Sequence, residues 1–168
     1  MTKKIMRNTL LELLEVMPLE KISVTLLCQK ADINRSTFYA YYNDISDLLK
    51  DMEDSVIKNL PLKPAETIRM SDEDYLITLV SFFQYVREND NLFRVLLINL
   101  GNGAFCQRLI DYVAETYIKH DHTSSRYAYI YVANGAVGSM RAWISENYPI
   151  STSEFASAVL KMSKKAIA

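Results

Sequence analysis

Glycine and proline are scarce, four of each among 168 residues. An all-β fold needs many turn residues, and this chain lacks them. Residues that favour helix (Leu, Met, Ala, Lys and Glu) recur throughout. Cysteine is scarcer still: Cys28 and Cys106 are too few for a disulfide scaffold. They fit a reducing compartment, with both thiols as small core residues. Histidine occurs only at His120 and His122, flanking Asp121. A zinc site takes three or four ligands and there is no third histidine, so no metal is expected. That segment reads as a solvated helix end, where histidine suits the dipole. No sign of charge dominates, the net being −1, so any DNA contact must come from a local patch. Long apolar runs are missing too. The longest uncharged stretch, between Arg126 and Arg141, contains Asn134 and two glycines and is too short and polar to span a bilayer. Nothing after Lys3 and Lys4 has the apolar length of a signal peptide, and a cytoplasmic protein is expected. A phosphate-cradling glycine loop, a nucleophile elbow and a Cys-x-x-Cys pair are all absent, so neither an enzyme nor a bound cofactor is expected.

Helical periodicity fills the space left by these absences. Met6, Leu10, Leu13, Leu14 and Met17 form an apolar stripe over residues 3–17, and Pro18 ends it. Ser23 suits the N-cap of a helix over 24–31, Asn34 that of one over 35–41, and Asp44 that of one over 45–59. Pro61 and Pro64 mark a linker. Beyond it the pattern predicts helices over 72–88, 90–99, 104–119, 124–146 and 152–166, with Gly101 and Gly103 stopping the second of these. The fold class expected is all-α. A three-helix helix-turn-helix DNA-binding domain spans residues 1–60, and a helical dimerisation and ligand domain spans 61–168.

The informative stretch is 22–42: a helix of about two turns, the short turn Asp32-Ile33-Asn34, and a second short helix. Such a second helix lies in the major groove of DNA. It opens Arg35-Ser36-Thr37-Phe38-Tyr39. Arginine can take a guanine edge or a phosphate, hydroxyls can reach bases or backbone, and a threonine methyl can pack on thymine. Tyrosine offers a ring with a phosphate-reaching hydroxyl, and helix-start N–H groups after Asn34 favour a phosphate. Over residues 1–43 six bases (Lys3, Lys4, Arg7, Lys21, Lys30, Arg35) face four acids (Glu12, Glu15, Glu20, Asp32), which permits DNA contact without arguing for it. The same geometry also occurs in purely structural helix pairs. Cys28, beside the reading helix, is taken as core rather than as an oxidant sensor.

Residues 5–50 resemble the TetR family of bacterial regulators. The resemblance runs through Ile22-Ser23-Val24-Thr25, Leu27-Cys28 and Ala31, then Ile33-Asn34-Arg35-Ser36-Thr37-Phe38-Tyr39-Ala40-Tyr41-Tyr42, and closes at Leu48-Leu49. It is carried by the order Thr37, Phe38, Tyr39 followed by the aromatic pair Tyr41 and Tyr42. It implies DNA contacts from Thr25, Arg35, Ser36, Thr37, Tyr39 and Tyr41, with Phe38 and Tyr42 as core. Two positions depart from the family pattern. Asp32 stands where a turn glycine is usual, although Asp tolerates the left-handed conformation. Ile45 stands where a phosphate-binding lysine is common, beside Asp44 and Asp47, which lowers the expected DNA affinity.

In TetR-like proteins the C-terminal helices dimerise and often hold an inducer. Here Gly135, Gly138, Ser139, Ala142 and Trp143, with Phe155, Val159 and Met162 of the last helix, are the expected homodimer seam. Packing within one chain is the competing explanation for those small residues. The seam resembles the penultimate helix of a family subgroup with short C-terminal domains. Phe83, Phe93, Leu97, Phe105, Tyr112, Tyr127, Tyr131 and Asn134 are the candidate ligand pocket, aromatics with polar tips being what such pockets use. The resemblance implies a transcription repressor that binds a palindromic operator in double-stranded DNA as a homodimer and is released by a small-molecule inducer. Two alternatives stand beside it: a coactivator working through a partner regulator protein, and an enzyme on a helical scaffold, for which no site is found.

Overall fold

The computed structural model describes residues 1–62, 71–100, 103–120 and 125–167, apart from the side chains of Thr116 and His120. The described residues are all-α, with no strand among them. Helix α1 (Thr2–Val16) buries Met6, Leu10, Leu13 and Leu14, four members of the expected stripe. Pro18 then opens a 3-10 turn, Leu19–Lys21, that periodicity alone does not disclose. Next come α2 (Val24–Ala31), α3 (Arg35–Tyr39) and α4 (Ile45–Asn59). The second layer holds α5 (Asp72–Glu88), the short α6 (Asp90–Arg94), α7 (Ala104–His120), α8 (Arg126–Ser145) and α9 (Thr152–Ile167). Pro64, Gly101 and the side chains of His120, Asp121 and His122 lie outside the described residues.

The caps explain most of the boundaries. Ser23 Oγ accepts from Leu26 N at 3.1 Å, and Asp44 Oδ1 from Asp47 N at 2.8 Å. Ser71 and Ser125 do the same for α5 and α8. Each satisfies a helix-start N–H that would otherwise lack a partner.

The helix expected over 90–99 changes character midway. After α6 the chain makes a π-helical turn, Val95–Asn99, closed by Leu100 N donating to Val95 O at 3.1 Å. The wider turn buries Val95, Leu96 and Leu97 in succession. Leu97 O accepts from Arg141 Nε at 3.0 Å, which ties this turn to α8.

One apolar cluster runs through both layers, from Met6, Leu10 and Phe38 to Phe83, Phe105 and Met140. Polar ties cross the same junction. Asn91 Nδ2 donates to Glu15 Oε1 at 2.6 Å. Arg108 on α7 binds Glu53 Oε2 at 2.5 Å and also Asp54, both on α4. Glu53 is buried, and a carboxylate out of water needs such a partner. Among the described residues no helix is long and apolar enough to cross a membrane.

Candidate nucleic-acid interface

Helix α2 ends in a Schellman arrangement. Asp32 is left-handed, at φ 51° and ψ 49°. Its N–H reaches Gln29 O at 3.4 Å, and Ile33 N reaches Cys28 O at 3.0 Å. Asp32 thus does a turn glycine's work, as its short polar side chain permits. Asn34 stands at the N-cap of α3 without a side-chain hydrogen bond to the helix, and Phe38 N closes the first turn on Asn34 O at 3.2 Å. Regular helix stops at Tyr39, two residues before the expected end. Tyr41 N and Tyr42 N both turn back onto Phe38 O, at 2.9 and 3.0 Å.

This geometry sorts the aromatics. Phe38 and Tyr42, four residues apart, point into the core and are 0% and 4% exposed. Tyr39 and Tyr41 point out, at 58% and 47% exposed. Thr25, Arg35 and Ser36 are exposed and Thr37 is half-buried. Thr25, Arg35 and Thr37 meet along an open groove of about 610 Å³ between α2 and α3, shared with Gln29 and Asn34. Gln29 is a residue the sequence reading missed. It lies one turn beyond Thr25 on α2, so helical spacing would have found it. Lys3 was missed too, and only the fold brings it near, its Nζ 5.9 Å from the Tyr41 ring centre and 5.1 Å from that of Tyr42.

A polar knot fixes the back of this surface. Asp51 Oδ2 accepts from Tyr42 OH at 2.5 Å and from Arg7 Nη2 and Nε at 2.6 and 3.0 Å. Burial raises the Asp51 pKa, but the hydrogen bonds from Tyr42 and Arg7 and the charges of Arg7 and Lys3 outweigh it and hold the carboxyl below its ordinary range. Burial, then the neighbouring Asp51 carboxylate, pushes the Tyr42 phenol up to about 12. Burial likewise raises the Cys28 thiol, partly offset by Arg35, which suits an inert core cysteine. The acids beside the reading helix are occupied: Asp44 caps α4, and Asp47 Oδ2 accepts from Asn43 N and Nδ2, both at 3.0 Å. Ile45 is buried, so its position serves the core and presents nothing to a phosphate.

The comparisons decide the family. The model of a TetR-type "Transcriptional regulator C-terminal region" matches residues 73–165, more than half of the chain. The chain belongs to the TetR family of transcriptional regulators. That match covers the half that the resemblance over residues 5–50 leaves out. Among solved structures, the "Dihydroxyacetone kinase operon activator DhaS" superposes with a TM-score of 0.63 at 18% identity, over 99% of this chain and 96% of that one. At that identity the likeness speaks for the fold alone. No curated protein matches the sequence. TetR-family regulators bind DNA, and the family's work is regulatory rather than enzymatic.

The C-terminal candidates of this TetR-family chain are distributed differently from the expectation. Phe83, Phe93, Leu97 and Phe105 are buried and Tyr112 is half-buried, whereas Asn134, Tyr127 (79% exposed) and Tyr131 (71% exposed) face outward. The eight divide between the core and the outer surface. An apolar cavity of about 50 Å³ does lie between α5, α7, α8 and α9, but of the eight only Phe83 lines it. At its wall the Tyr75 and Tyr117 hydroxyls hydrogen-bond at 2.8 Å. The seam candidates divide as well. Gly135, Gly138 and Ala142 are exposed, Ser139 is half-buried, and Met162 on α9 is exposed. Trp143, Phe155 and Val159 are buried within the protomer. Trp143 stacks on Phe155 at 4.5 Å and 3°, meets Phe83 edge-on at 5.9 Å, and donates from Nε1 to Ile150 O at 3.0 Å. Trp143 and Phe155 therefore hold α8, α9 and α5 together within the protomer. Among the described residues no group of three metal-binding side chains gathers.

Proposed function

We propose that this regulator binds a palindromic operator as a homodimer and represses by occupying it, with residues 1–60 reading DNA and 61–168 pairing the copies. The observation that carries this reading is the sorting of α3. Tyr39 and Tyr41 stand in solvent beside Thr25, Arg35, Ser36 and Thr37, with no core role to explain two exposed rings. Arg35, Ser36 and Thr37 would enter the major groove, and Tyr39, Tyr41 and Thr25 would reach the backbone.

Support for the homodimer comes from the outer face of α8. Tyr127, Tyr131, Gly135, Gly138 and Ala142 recur at three- and four-residue steps on one exposed face. A Cβ built on Gly135 or Gly138 meets nothing within 4 Å, so no neighbour in the same protomer requires glycine there. Two glycines inside a helix cost stability, about 1 kcal/mol each relative to alanine. A second copy closing on the face supplies the reason for them, with Met162 at its edge. Release by a small ligand belongs to the same proposal: the ligand must bind the arrangement that leaves DNA better than the one that grips it.

A second reading, an activator working through another regulator, is favoured by the buried Ile45 and the acids Asp44 and Asp47 beside the reading helix. The structural neighbour is titled an operon activator. A footprint on DNA flanking the protein's own gene, at low and moderate salt, separates the two. A two-fold symmetric protected site that fades steeply with salt supports the operator reading, since phosphate contacts release counterions. No protection at low salt, with tight binding to a partner regulator, supports the second.

A further inference from the structure

The cavity inside the C-terminal bundle is small, about 50 Å³, well under the roughly 300–1,000 Å³ of ordinary ligand sites. A larger pocket, about 290 Å³, opens at the junction of the two layers. Helices α1 and α4 form one side of it and α5 and the start of α6 the other. Its apolar floor is Leu11, Met52, Val56 and Leu92. Its rim is polar: Asn8, Ser55, Asn59, Asn89 and Tyr85, with Arg7 at one end.

The rim keeps spare hydrogen-bonding capacity of both kinds. Asn59 spends its Nδ2 on Ser55 O at 2.7 Å, and Asn89 its Nδ2 on Tyr85 O at 2.8 Å. Each leaves a carboxamide oxygen as an unused acceptor. The Asn8 carboxamide and the Tyr85 hydroxyl have no hydrogen-bond partner among the described residues. They supply donors as well as acceptors. The pocket carries no net charge to offer, because Arg7 is matched by Asp51 and no carboxylate lines the wall. Hydroxyl groups donate and accept without carrying charge, so a neutral, hydroxyl-rich ligand matches this rim. The C–H face of such a ring or chain can rest on the apolar floor.

We infer that this junction pocket, lined by Asn8, Asn59, Asn89 and Tyr85 over Leu11 and Met52, binds a neutral polyhydroxylated small molecule of monosaccharide size. Occupancy ties α1 and α4 to α5 and α6, so the ligand sets how the reading unit sits on the bundle. That regulatory consequence rests on the operator reading above, whereas the binding itself does not.

The test uses the full chain with ¹³C-labelled methionine methyl groups, titrated with glycerol, ribose and glucose. Met52 lines the junction pocket, and Met140 lines the bundle cavity and serves as the internal control. The expected result is a saturable shift of the Met52 methyl with at least one of these probes while Met140 stays still. Asn8→Leu, at an exposed position whose change spares the core, should weaken that binding roughly fivefold, the loss of one neutral hydrogen bond. Asn89→Leu should do the same. No saturable Met52 shift with any of the three, or a shift that persists unchanged in both variants, overturns the site. Operator titrations with and without the active probe then read the regulatory arm. A Met52 shift in a protein that protects no operator would leave the site standing and remove the operator reading.

Discussion

Helix α3 with its flanking turn and the α8–α9 pair both set exposed aromatic or small residues beside buried ones, yet they answer differently to the same spacing rules. In α3 a helix of five residues holds Phe38, which faces in, and Tyr39, which faces out. The tight turn after it returns Tyr42 to the core and leaves Tyr41 outside. Each side chain has one place to go, because Phe38 and Tyr42 anchor the segment from the same side. Helix α8 runs from Arg126 to Ser145 and is apolar on most faces. Its sequence does not say which face meets the same protomer and which is left for a partner. The burial of Trp143, against the exposure of Tyr131 and Gly138, is settled by where α5 and α9 lie. Where a helix carries one apolar stripe the stripe is a direction; where it carries several, only its neighbours choose.

The sharpest break between these regions is Trp143→Ala. Emptying that site should cost about 3–5 kcal/mol, lowering Tm on the order of 10 °C. A melting curve within a degree of wild type would show that Trp143 is no core residue. Tyr39→Ala should leave melting and helix content unchanged and weaken operator binding about ten- to a hundredfold, the loss of a hydrogen bond to a charged group. Equal affinity in a DNA titration would take Tyr39 out of the interface. Gly138→Leu should split two quantities that move together if the glycine serves only its own protomer. The isolated protomer gains up to about 1 kcal/mol of helix stability, since the new side chain meets nothing there. Self-association measured by sedimentation should weaken severalfold, through overpacking of the seam. Association as tight as in wild type would move the dimer contact elsewhere.

The smallest effect concerns the knot behind the reading helix. Tyr42 has a folded pKa of about 12 against an ordinary value of 10.0, so its neutral phenol is favoured by folding. Its contribution is fully present below pH 10 and fades as pH rises toward 12. Asp51 is shifted the other way. Its contribution is present above the ordinary carboxylate range, roughly pH 4, and fades as acid protonates the folded form. Tyr42→Phe should flatten part of the alkaline loss seen in denaturant melts and leave the ion pair of Asp51 with Arg7 in place. An unchanged alkaline limb would show that Tyr42 takes no part in it.

The helices were readable because stripes such as Met6–Leu10–Leu13 and caps such as Ser23 and Asp44 are local signals. The π-helical turn at Val95–Asn99 was not, since three successive buried residues look like any apolar run. Gln29 was within reach by helical spacing from Thr25, whereas Lys3 was not, because it stands on a different helix, far from Tyr41 along the chain. Tyr127 and Tyr131 share an exposed face of α8 with Gly135 and Gly138, which aromatic composition alone does not disclose. The junction pocket escaped notice because Asn8, Asn59 and Asn89 stand in three separate segments.

The sequence by itself determined an all-helical chain and the helix-turn-helix with its Asp32 turn, and the family resemblance implied the split of Phe38 and Tyr42 from Tyr39 and Tyr41. Each depends on residues within about one or two helical turns, where covalent geometry fixes relative direction. Tertiary structure alone decided that Trp143, Phe155 and Val159 close the protomer's own core, that Arg108 reaches Glu53, and that three distant asparagines share a pocket. Those depend on which helix packs on which, and burial of apolar surface, being non-directional, leaves no mark of that choice in any single segment.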